Sequence, residues 1–317
     1  MKTVQLSFSA LLALTFALAG CSNDENLPAG ENDNRVAIRV SSNIDVTDGA
    51  PKAGTRAAND AWEANDAIGI FMLDGLTADT YSNTAYTTAE GNGTFAPQVG
   101  GTTIYLPVDG SARDFVAYYP YQGAMSGSTY AIDLSDQKNQ SAIDFMTSEK
   151  ENGEKSTVKG ITKTSPDVKF HFHHRLSKLS LTIKAGNGLT DADLEGLLVR
   201  LSNQKTAGTF DILTSDAIVV PDDHDAQTIE LNTSADGKTS EAIVMPSTDF
   251  AGMLMSFTTK DNDTYSWQVS STAATKFEAG KKYKFNIIIN KTGISVTATI
   301  EDWDAGNGED GENGNAE

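Results

Sequence analysis

Three of the four histidines lie close together in the stretch VKFHFHHRL, at His171, His173 and His174. Imidazole nitrogens are common zinc ligands, and a strand would place His171 and His173 on the same face because they are two residues apart. A structural zinc site needs four ligands, but the one further histidine is the distant His224, and no cysteine is close. We therefore predict that the chain binds no metal and that these histidines form the polar face of a strand.

Two short segments are rich in carboxylates, PDDHD at 221–225 and KDNDT at 260–264. Carboxylate oxygens suit calcium, but neither segment has the ligand spacing of an EF-hand, and turn residues in an acidic chain explain both. The sequence contains no GxSxG, HExxH or CxxC motif and no phosphate-binding P-loop. Because no nucleophile or general base stands in a recognisable setting, we expect no enzymatic activity and no cofactor.

The stretch RDFVAYYPYQG is dense in aromatic residues, with Tyr118, Tyr119 and Tyr121 close together. These rings either stack on a sugar, which would indicate a glycan-binding surface, or pack in the core and at its rim. Packing is the more common role of such a stretch, and we favour it.

The charge balance excludes one class of partner. The chain has 24 Lys and Arg against 43 Asp and Glu, a net charge of −19, and nucleic-acid binding needs a basic face. A hydrophobic content of 39% over 317 residues is enough for a packed core and for two domains of ordinary size. Beyond residue 20, no apolar run approaches the ~20 residues of a membrane-spanning helix.

The N-terminal segment has the pattern of a secretory signal. Lys2 precedes the apolar run LSFSALLALTFALAG, which ends in small residues before Cys21, the only cysteine. The LAGC ending resembles the bacterial lipoprotein signal, which implies removal of residues 1–20 as a signal peptide and attachment of lipid to Cys21. Ordinary secretory cleavage beside a chance cysteine is the alternative. CSNDEN resembles a surface-export signal of Gram-negative lipoproteins, so we expect a surface-exposed outer membrane lipoprotein that contacts the membrane through its lipid anchor alone.

The rest of the chain has the pattern of an all-β protein. After a polar tether at 21–35, VAIRVSSNI alternates, with Val36, Ile38, Val40 and Ile44 on one face, which predicts a half-buried strand. Short segments rich in β-branched and aromatic residues follow, separated by turn residues. These segments are AIGIFML, GTTIYLPV, RDFVAYYPY, VKFHF, KLSLTIKA, LLVRLSN, TFDIL, AIVVP, EAIVMP, GMLMSFTT, TYSWQVS, KKYKFNIIIN and GISVTATIEDW. DADLEGLLVRL has some helical character, but its glycine and β-branched valine favour a strand at 197–202.

A domain boundary is expected in FHFHHRLSKLSLTIKAG. Phe170 and Phe172 occupy even positions, whereas Leu179, Leu181 and Ile183 occupy odd ones, so the buried face changes between them. A β-bulge within one strand would give the same shift. We predict two β-sandwich domains, at 36–175 and 176–304, followed by an acidic tail at 305–317.

Six phrases, in this order along the chain, carry a resemblance to a known family. They are LAGCSNDE, TRAANDAWEANDAIGIFM, RDFVAYYPY, IDFMTSE, FHFHHRLSKLSLTIKAG and YKFNIIINKTGISVTATIEDW, and they resemble the fimbrillin-like family, subunits of type V pili of gut and oral Gram-negative anaerobes. The resemblance implies two tandem transthyretin-like β-sandwich domains. It also implies a structural subunit or tip adhesin of a cell-surface pilus, with other pilus subunits as partners, further copies of this chain among them, and a host protein or glycan as the ligand.

The resemblance further implies a maturation step in GAPKAGTRAANDAWE, residues 49–63. In this family an arginine-specific protease cuts after the first strand, which then leaves its sheet and is replaced by a strand from the next subunit. The matching arginine is Arg56, and the mature chain would begin at Ala57. Arg35 and Arg39 are alternative cut sites, but Arg39 lies inside the predicted strand, and a cut at Arg35 would not free a groove.

The displaced strand would carry Val36, Ile38, Val40 and Ile44, and a replacement should copy its alternation. GISVTATI offers such a donor, with apolar residues at Ile294, Val296, Ala298 and Ile300. The alternative, which we favour, is that this segment is the last strand of the second sandwich, joined to YKFNIII by a hairpin through NKTG. The alternative function is that of a surface glycan-binding lipoprotein, which an exposed platform of aromatic rings would support.

Overall fold

The structure, a computed structural model, describes residues 34–44, 61–75, 77–148, 158–269 and 276–303. Of these residues 51% lie in strands and 3% in helices, so the protein is nearly all-β, as the sequence predicts. The described residues from Arg35 onward belong to one compact unit.

Ten of the described strands precede residue 175. They are β1 Arg39–Ile44, β2 Ala67–Asp74, β3 Thr77–Ala78, β4 Thr84–Thr87, β5 Thr94–Pro97, β6 Arg113–Tyr119, β7 Thr129–Asp133, β8 Met146–Ser148, β9 Val158–Ile161 and β10 Asp167–His174. Nine of them form one sheet in the order β3-β2-β4-β5-β1-β10-β8-β6-β9. Because β2 also pairs with β6, the strands from β2 to β6 close into a barrel, with β3 and β9 added beside it. Closure removes the free edges that an open sheet would present.

The barrel has its own hydrophobic core. Alternate residues of each strand point inward, as in Val168, Phe170 and Phe172 of β10, none of which is exposed. Trp62, which precedes β2, lies among Phe95, Tyr119 and Phe172 with ring centroids 5.1–5.3 Å apart in edge-to-face geometry.

Nine of the ten remaining described strands, all except β13, form a sandwich of two sheets. The elements are β11 Ser177–Ala185, α1 Asp191–Leu194, β12 Leu198–Gln204, β13 Ala207–Asp211, β14 Gln227–Glu230, β15 Asn232–Thr233, β16 Thr239–Val244, β17 Leu254–Thr258, β18 Thr264–Gln268, β19 Lys281–Asn290 and β20 Gly293–Asp302. One sheet has the order β15-β16-β11-β19-β20 and the other β14-β12-β17-β18. Their facing side chains, such as Leu181, Phe285 and Phe257, pack into a single core.

A third hydrophobic cluster joins the barrel to the sandwich. β7 pairs with β13 in a two-stranded sheet, and at the junction Tyr130 stacks on Phe145, which contacts the Phe210 ring in a tilted arrangement. The buried Gln137 side chain donates to the carbonyl of Ile243 and accepts from its N–H, so it completes the edge of β16. The buried face changes between β10 and β11, at Arg175 and Leu176, where the chain leaves one core for another.

Two segments differ from the predicted strands. GTTIYLPV forms only an isolated bridge at Tyr105, although Ile104 and Leu106 are buried, because its pairing partner is the short stretch before β1. AIVVP likewise forms only a bridge, at Val219, whose side chain is 58% exposed. The one-turn helix α1 precedes β12, which confirms the strand predicted near 197–202.

Candidate functional site

Strand β1 occupies an internal position in the barrel. It pairs in parallel with β10, from Arg39 opposite Asp167 to Ile44 opposite Phe172, and antiparallel with β5. Before β1 begins, the Ile38 N–H donates to the carbonyl of Ile104 at 3.1 Å, and the Leu106 N–H donates to the carbonyl of Val36 at 2.9 Å. Backbone hydrogen bonds therefore hold residues 36–44 along both edges.

The inward face of this segment is apolar. Ile38, Val40 and Ile44 are only 6%, 3% and 2% exposed and belong to the barrel core, while Val36 is half-buried. Full burial contributes about 1.5–3 kcal/mol for each such side chain before conformational entropy is subtracted. These side chains make β1 an integral part of the barrel, although it belongs to the N-terminal end of the chain.

The outward face of β1 carries an ion pair with β10. Arg39 donates from Nε to Asp167 Oδ1 at 2.6 Å and from a terminal nitrogen to Oδ2 at 2.9 Å. This hydrogen bond lowers the pKa of the Asp167 carboxyl and raises that of Arg39. Both side chains are exposed, so the pair contributes little stability and mainly marks the pairing of β1 with β10.

A glycine-containing turn closes over the C-terminal half of β1. The Ser42 N–H donates to the carbonyl of Gly93 at 2.7 Å. Gly93 has a φ of +77°, and a Cβ added there would lie 2.2 Å from the Ser42 carbonyl oxygen. A Cβ on Gly91 would lie 2.6 Å from the carbonyl oxygen of Trp62. The same turn therefore packs against β1 and against the segment that resumes after residue 60.

Trp62 anchors the chain on the other side of the undescribed segment 45–60. Its indole is 8% exposed and packs against three rings of the barrel core. Nearby, Asp66 accepts hydrogen bonds from the Glu63 N–H and the Tyr119 hydroxyl, and burial raises the pKa of its carboxyl. Ile44 and Trp62 thus fix both ends of the segment that contains Arg56. Arg56, Ala57 and Cys21 themselves lie outside the described residues.

Strand β20 is an edge strand of the sandwich. It pairs with β19 along its whole length, from Asn290 opposite Gly293 to Lys281 opposite Asp302, in a hairpin through NKTG. Ile294, Val296 and Ile300 are half-buried against the sandwich core, and Ala298 is buried. The candidate donor residues are thus seated in their own sandwich, bonded along one edge.

The residue that follows β20 is buried at the junction of the two cores. Trp303 is 2% exposed and stacks on His174 of β10 with ring centroids 3.9 Å apart. His174 Nδ1 lies 2.7 Å from Asp144 Oδ1, and both side chains are fully buried. Lys178, also buried, lies 3.3 Å from Glu241 Oε2, and its ammonium is 5.9 Å from the Trp303 ring centroid. Sequence patterns did not single out Trp303, although the aromatic residue ending IEDW is the visible signal.

The histidines considered as metal ligands lie at different places in the fold. His171 is exposed and His173 half-buried, and the His224 ring accepts from the Thr206 N–H at 3.1 Å. The residues that the structure describes include no group of three or more His, Cys, Asp or Glu side chains placed to hold a metal ion.

Tyr118 and Tyr119 are buried in the cores, and Tyr121 is half-buried. An open cleft of about 530 Å³ lies between Ser135–Lys138 and the edge formed by β14 and β15.

No helix among the described residues is both long enough and apolar enough to cross a bilayer.

The comparisons with known proteins decide the family. A family model described as Fimbrillin-like matches residues 55–303. This chain belongs to the fimbrillin-like family. The matched region begins after β1, beside Arg56, and ends at Trp303.

Similar proteins share both sequence and fold with this chain. A Bacteroides uniformis protein named "Putative fimbrium subunit Fim1C" is 45% identical over 322 residues, which cover 99% of each chain. The crystal structure of a "putative cell adhesion protein" of Bacteroides uniformis is 40% identical, with a TM-score of 0.73, over 86% of this chain and 100% of that one. A second such structure, from Bacteroides ovatus, is 26% identical with a TM-score of 0.66, over 85% of this chain and 98% of that one.

Proposed function

We propose that this fimbrillin-like protein is a structural subunit or tip adhesin of a cell-surface pilus, and that it joins a neighbouring subunit by exchange of strand β1. The observation that carries the proposal is the position of β1: a strand from the N-terminal end of the chain closes the barrel from an internal place in its sheet. Its only covalent connection to the rest of the barrel runs through residues 45–60.

Cleavage after Arg56 is the proposed trigger. While the segment 45–60 is intact, β1 is held at a very high effective concentration beside its groove and blocks any competitor. A cut converts β1 into a separate ligand that another strand can displace. Removing β1 would leave unpaired backbone groups on β5 and β10 and an apolar groove, both of which an incoming strand satisfies. The family match supports this site because it begins at residue 55.

The candidate donor is β20 of a neighbouring copy. It offers Ile294, Val296, Ala298 and Ile300 on one face at period two. In its own sandwich β20 is hydrogen-bonded to a neighbouring strand along one edge. A strand in the β1 position would be hydrogen-bonded along both edges, to β10 and to β5. A copy whose β20 stays in place, with Trp303 buried, can receive a strand but cannot donate one, and would end a fibre.

The proposed location follows from the N-terminus. Lipid on Cys21 would hold the precursor at the outer membrane, with the tether 21–35 leading to β1. Cleavage after Arg56 would then separate the mature subunit from the anchor together with β1. Each step uses binding and proteolysis by another protein, and none needs catalysis by this chain.

The test is assembly of the purified chain before and after a cut in the segment 45–60. A recognition site for a specific protease, placed at Arg56, allows the cut without trypsin. We expect the intact chain to remain monomeric in size-exclusion chromatography. The nicked chain should lose residues 36–44 and form higher oligomers, or bind a synthetic peptide with the sequence of residues 293–302. Equal assembly of the intact and nicked chains would refute the exchange.

A further inference from the structure

One inward position of β1 departs from its apolar alternation. Positions 36, 38, 40, 42 and 44 face the barrel core, and Ser42 is the polar member of this set. The Ser42 hydroxyl oxygen is buried and makes no hydrogen bond with any residue that the structure describes. A buried hydroxyl without a partner is unfavourable, because it loses its hydrogen bonds to water and gains none in return.

Ser42 has close neighbours along both edges of β1. In β10 the opposite residue is Phe170, which is not exposed. On the other edge lies Gly93, where an added Cβ would lie 2.2 Å from the Ser42 backbone carbonyl oxygen, so the two backbones are in close contact. A Cβ on Gly93 would also lie 3.6 Å from the Trp62 ring. The backbone is therefore closely packed beside Ser42, whose side chain is half-buried with a buried hydroxyl oxygen.

We propose that the Ser42 position determines which strand the barrel accepts, and that it selects alanine in the incoming strand. This inference rests on the strand exchange proposed above. Alanine keeps the small volume but has no hydroxyl to bury, whereas leucine or a larger residue would overpack the site. The buried hydroxyl of Ser42 lowers the stability of β1 in its groove, so β1 is easier to displace. An alanine in the incoming strand avoids this cost, so the exchange equilibrium favours the incoming strand.

The occupant that fits this position is β20 of a second copy. In IRVSSNI, residues 38–44, the inward residues are Ile, Val, Ser and Ile, and in ISVTATI, residues 294–300, the residues packed in or against the sandwich core are Ile, Val, Ala and Ile. The two sets are identical except that Ala298 replaces Ser42. The match fixes a register in which Ile294 takes the place of Ile38.

Binding of labelled peptides to the nicked full chain tests the inference. The probes are the peptide of residues 293–302 and two variants of it, Ala298→Ser and Ala298→Leu, compared by fluorescence anisotropy. We expect both substitutions to weaken binding about fivefold or more. If all three peptides bind equally well, the selectivity is refuted while strand exchange stands. If none of them binds after β1 is released, β20 is not the occupant, and both this inference and the proposed donor fail.

A second experiment examines the resident strand, and its first measurement, on the intact chain, does not depend on exchange. In the intact chain, Ser42→Ala should raise the melting temperature, because it removes a buried hydroxyl. In the nicked chain, the same substitution should slow displacement of β1 by the peptide of residues 293–302. Ser41→Ala, at the neighbouring outward-facing position, is the matched control. A Ser42→Ala variant that melts no higher than this control would overturn the inference.

Discussion

Trp303 stacks on His174 with their ring planes 6° apart and their centroids 3.9 Å apart. The Trp303 backbone N–H also donates to the carbonyl of Gly280 at 2.8 Å. Since Trp303 directly follows β20 and His174 ends β10, this contact joins the last strand of the sandwich to the barrel. In a strand exchange that uses β20 as donor, this stack is the contact that must open.

The first prediction concerns that stack. Trp303→Ala should destabilise the protein by about 3–5 kcal/mol, the usual cost of truncating a buried tryptophan. It should also increase hydrogen–deuterium exchange of the β20 amides more than that of β17. Ile288→Ala, on the exposed face of β19 with a side chain 41% exposed, is the control and should change little. Unchanged protection of β20 in the Trp303 variant would show that the tryptophan does not hold the strand.

The second prediction compares two glycines with similar backbone angles. Gly93 has a φ of +77° and Gly100 a φ of +74°, but a Cβ meets β1 at Gly93 and nothing within 4 Å at Gly100. Gly100→Ala should cost about 1–2 kcal/mol from backbone strain alone. Gly93→Ala should cost at least ~1 kcal/mol more, because it also overpacks the contact with Ser42. If urea denaturation shows the same loss of unfolding free energy for both variants, the turn does not hold β1.

The third prediction is a pH dependence at the junction. Burial lowers the pKa of the Lys178 amine below its unfolded value of 10.5, although Glu241 partly opposes the shift. Between the folded and unfolded pKa values the unfolded chain binds more protons, so the free energy of unfolding should rise as pH rises through that window. Lys178→Met should remove this rise, and Glu241 should stay hydrated because it is 35% exposed.

Denaturant unfolding at neutral pH and just below pH 10.5 measures the effect. Lys184→Met, on the exposed face of the same strand, serves as the control and should keep the slope of the parent chain. A Lys178→Met variant with that same slope would contradict the assignment to Lys178.

The fourth prediction concerns the anchor. Cys21→Ser should release the protein from the outer membrane fraction, because stable attachment needs the acyl chains. Ser22→Ala leaves the lipidated position intact and should remain membrane-bound. Undiminished incorporation of labelled fatty acid in the Cys21 variant would rule out this residue as the anchor.

Local patterns predict the strands better than their pairing. The alternation of Ile38, Val40 and Ile44 correctly identifies the buried face of β1, because period-two burial is a property of one strand. The parallel pairing with β10 and the closure through β2 and β6 join residues far apart in sequence, and no local signal specifies them. The buried positions of Trp62 and Trp303 were not predicted for the same reason, because each is a single residue whose partners lie in distant strands.

Two details of the site depend on backbone geometry. Gly93 is one glycine among 27, and its contacts with Ser42 and Trp62 distinguish it from a turn glycine such as Gly100. Ser42 lies on an inward position beside an outward serine, so the pair SS in VSSNI does not reveal which hydroxyl is buried without a partner. The switch of buried face between Phe172 and Leu179 was visible in the sequence, because it changes the parity of the apolar residues.

The most direct measurement is the N-terminal sequence of the chain in fibres recovered from native cells, for the unchanged protein and for Arg56→Ala. We expect fibres whose subunits begin at Ala57 and lack residues 36–44. We expect the Arg56→Ala chain to remain a longer, membrane-anchored monomer. Fibres that form equally well from Arg56→Ala, with residues 36–44 still attached, would contradict the removal of β1 on which the proposed assembly depends.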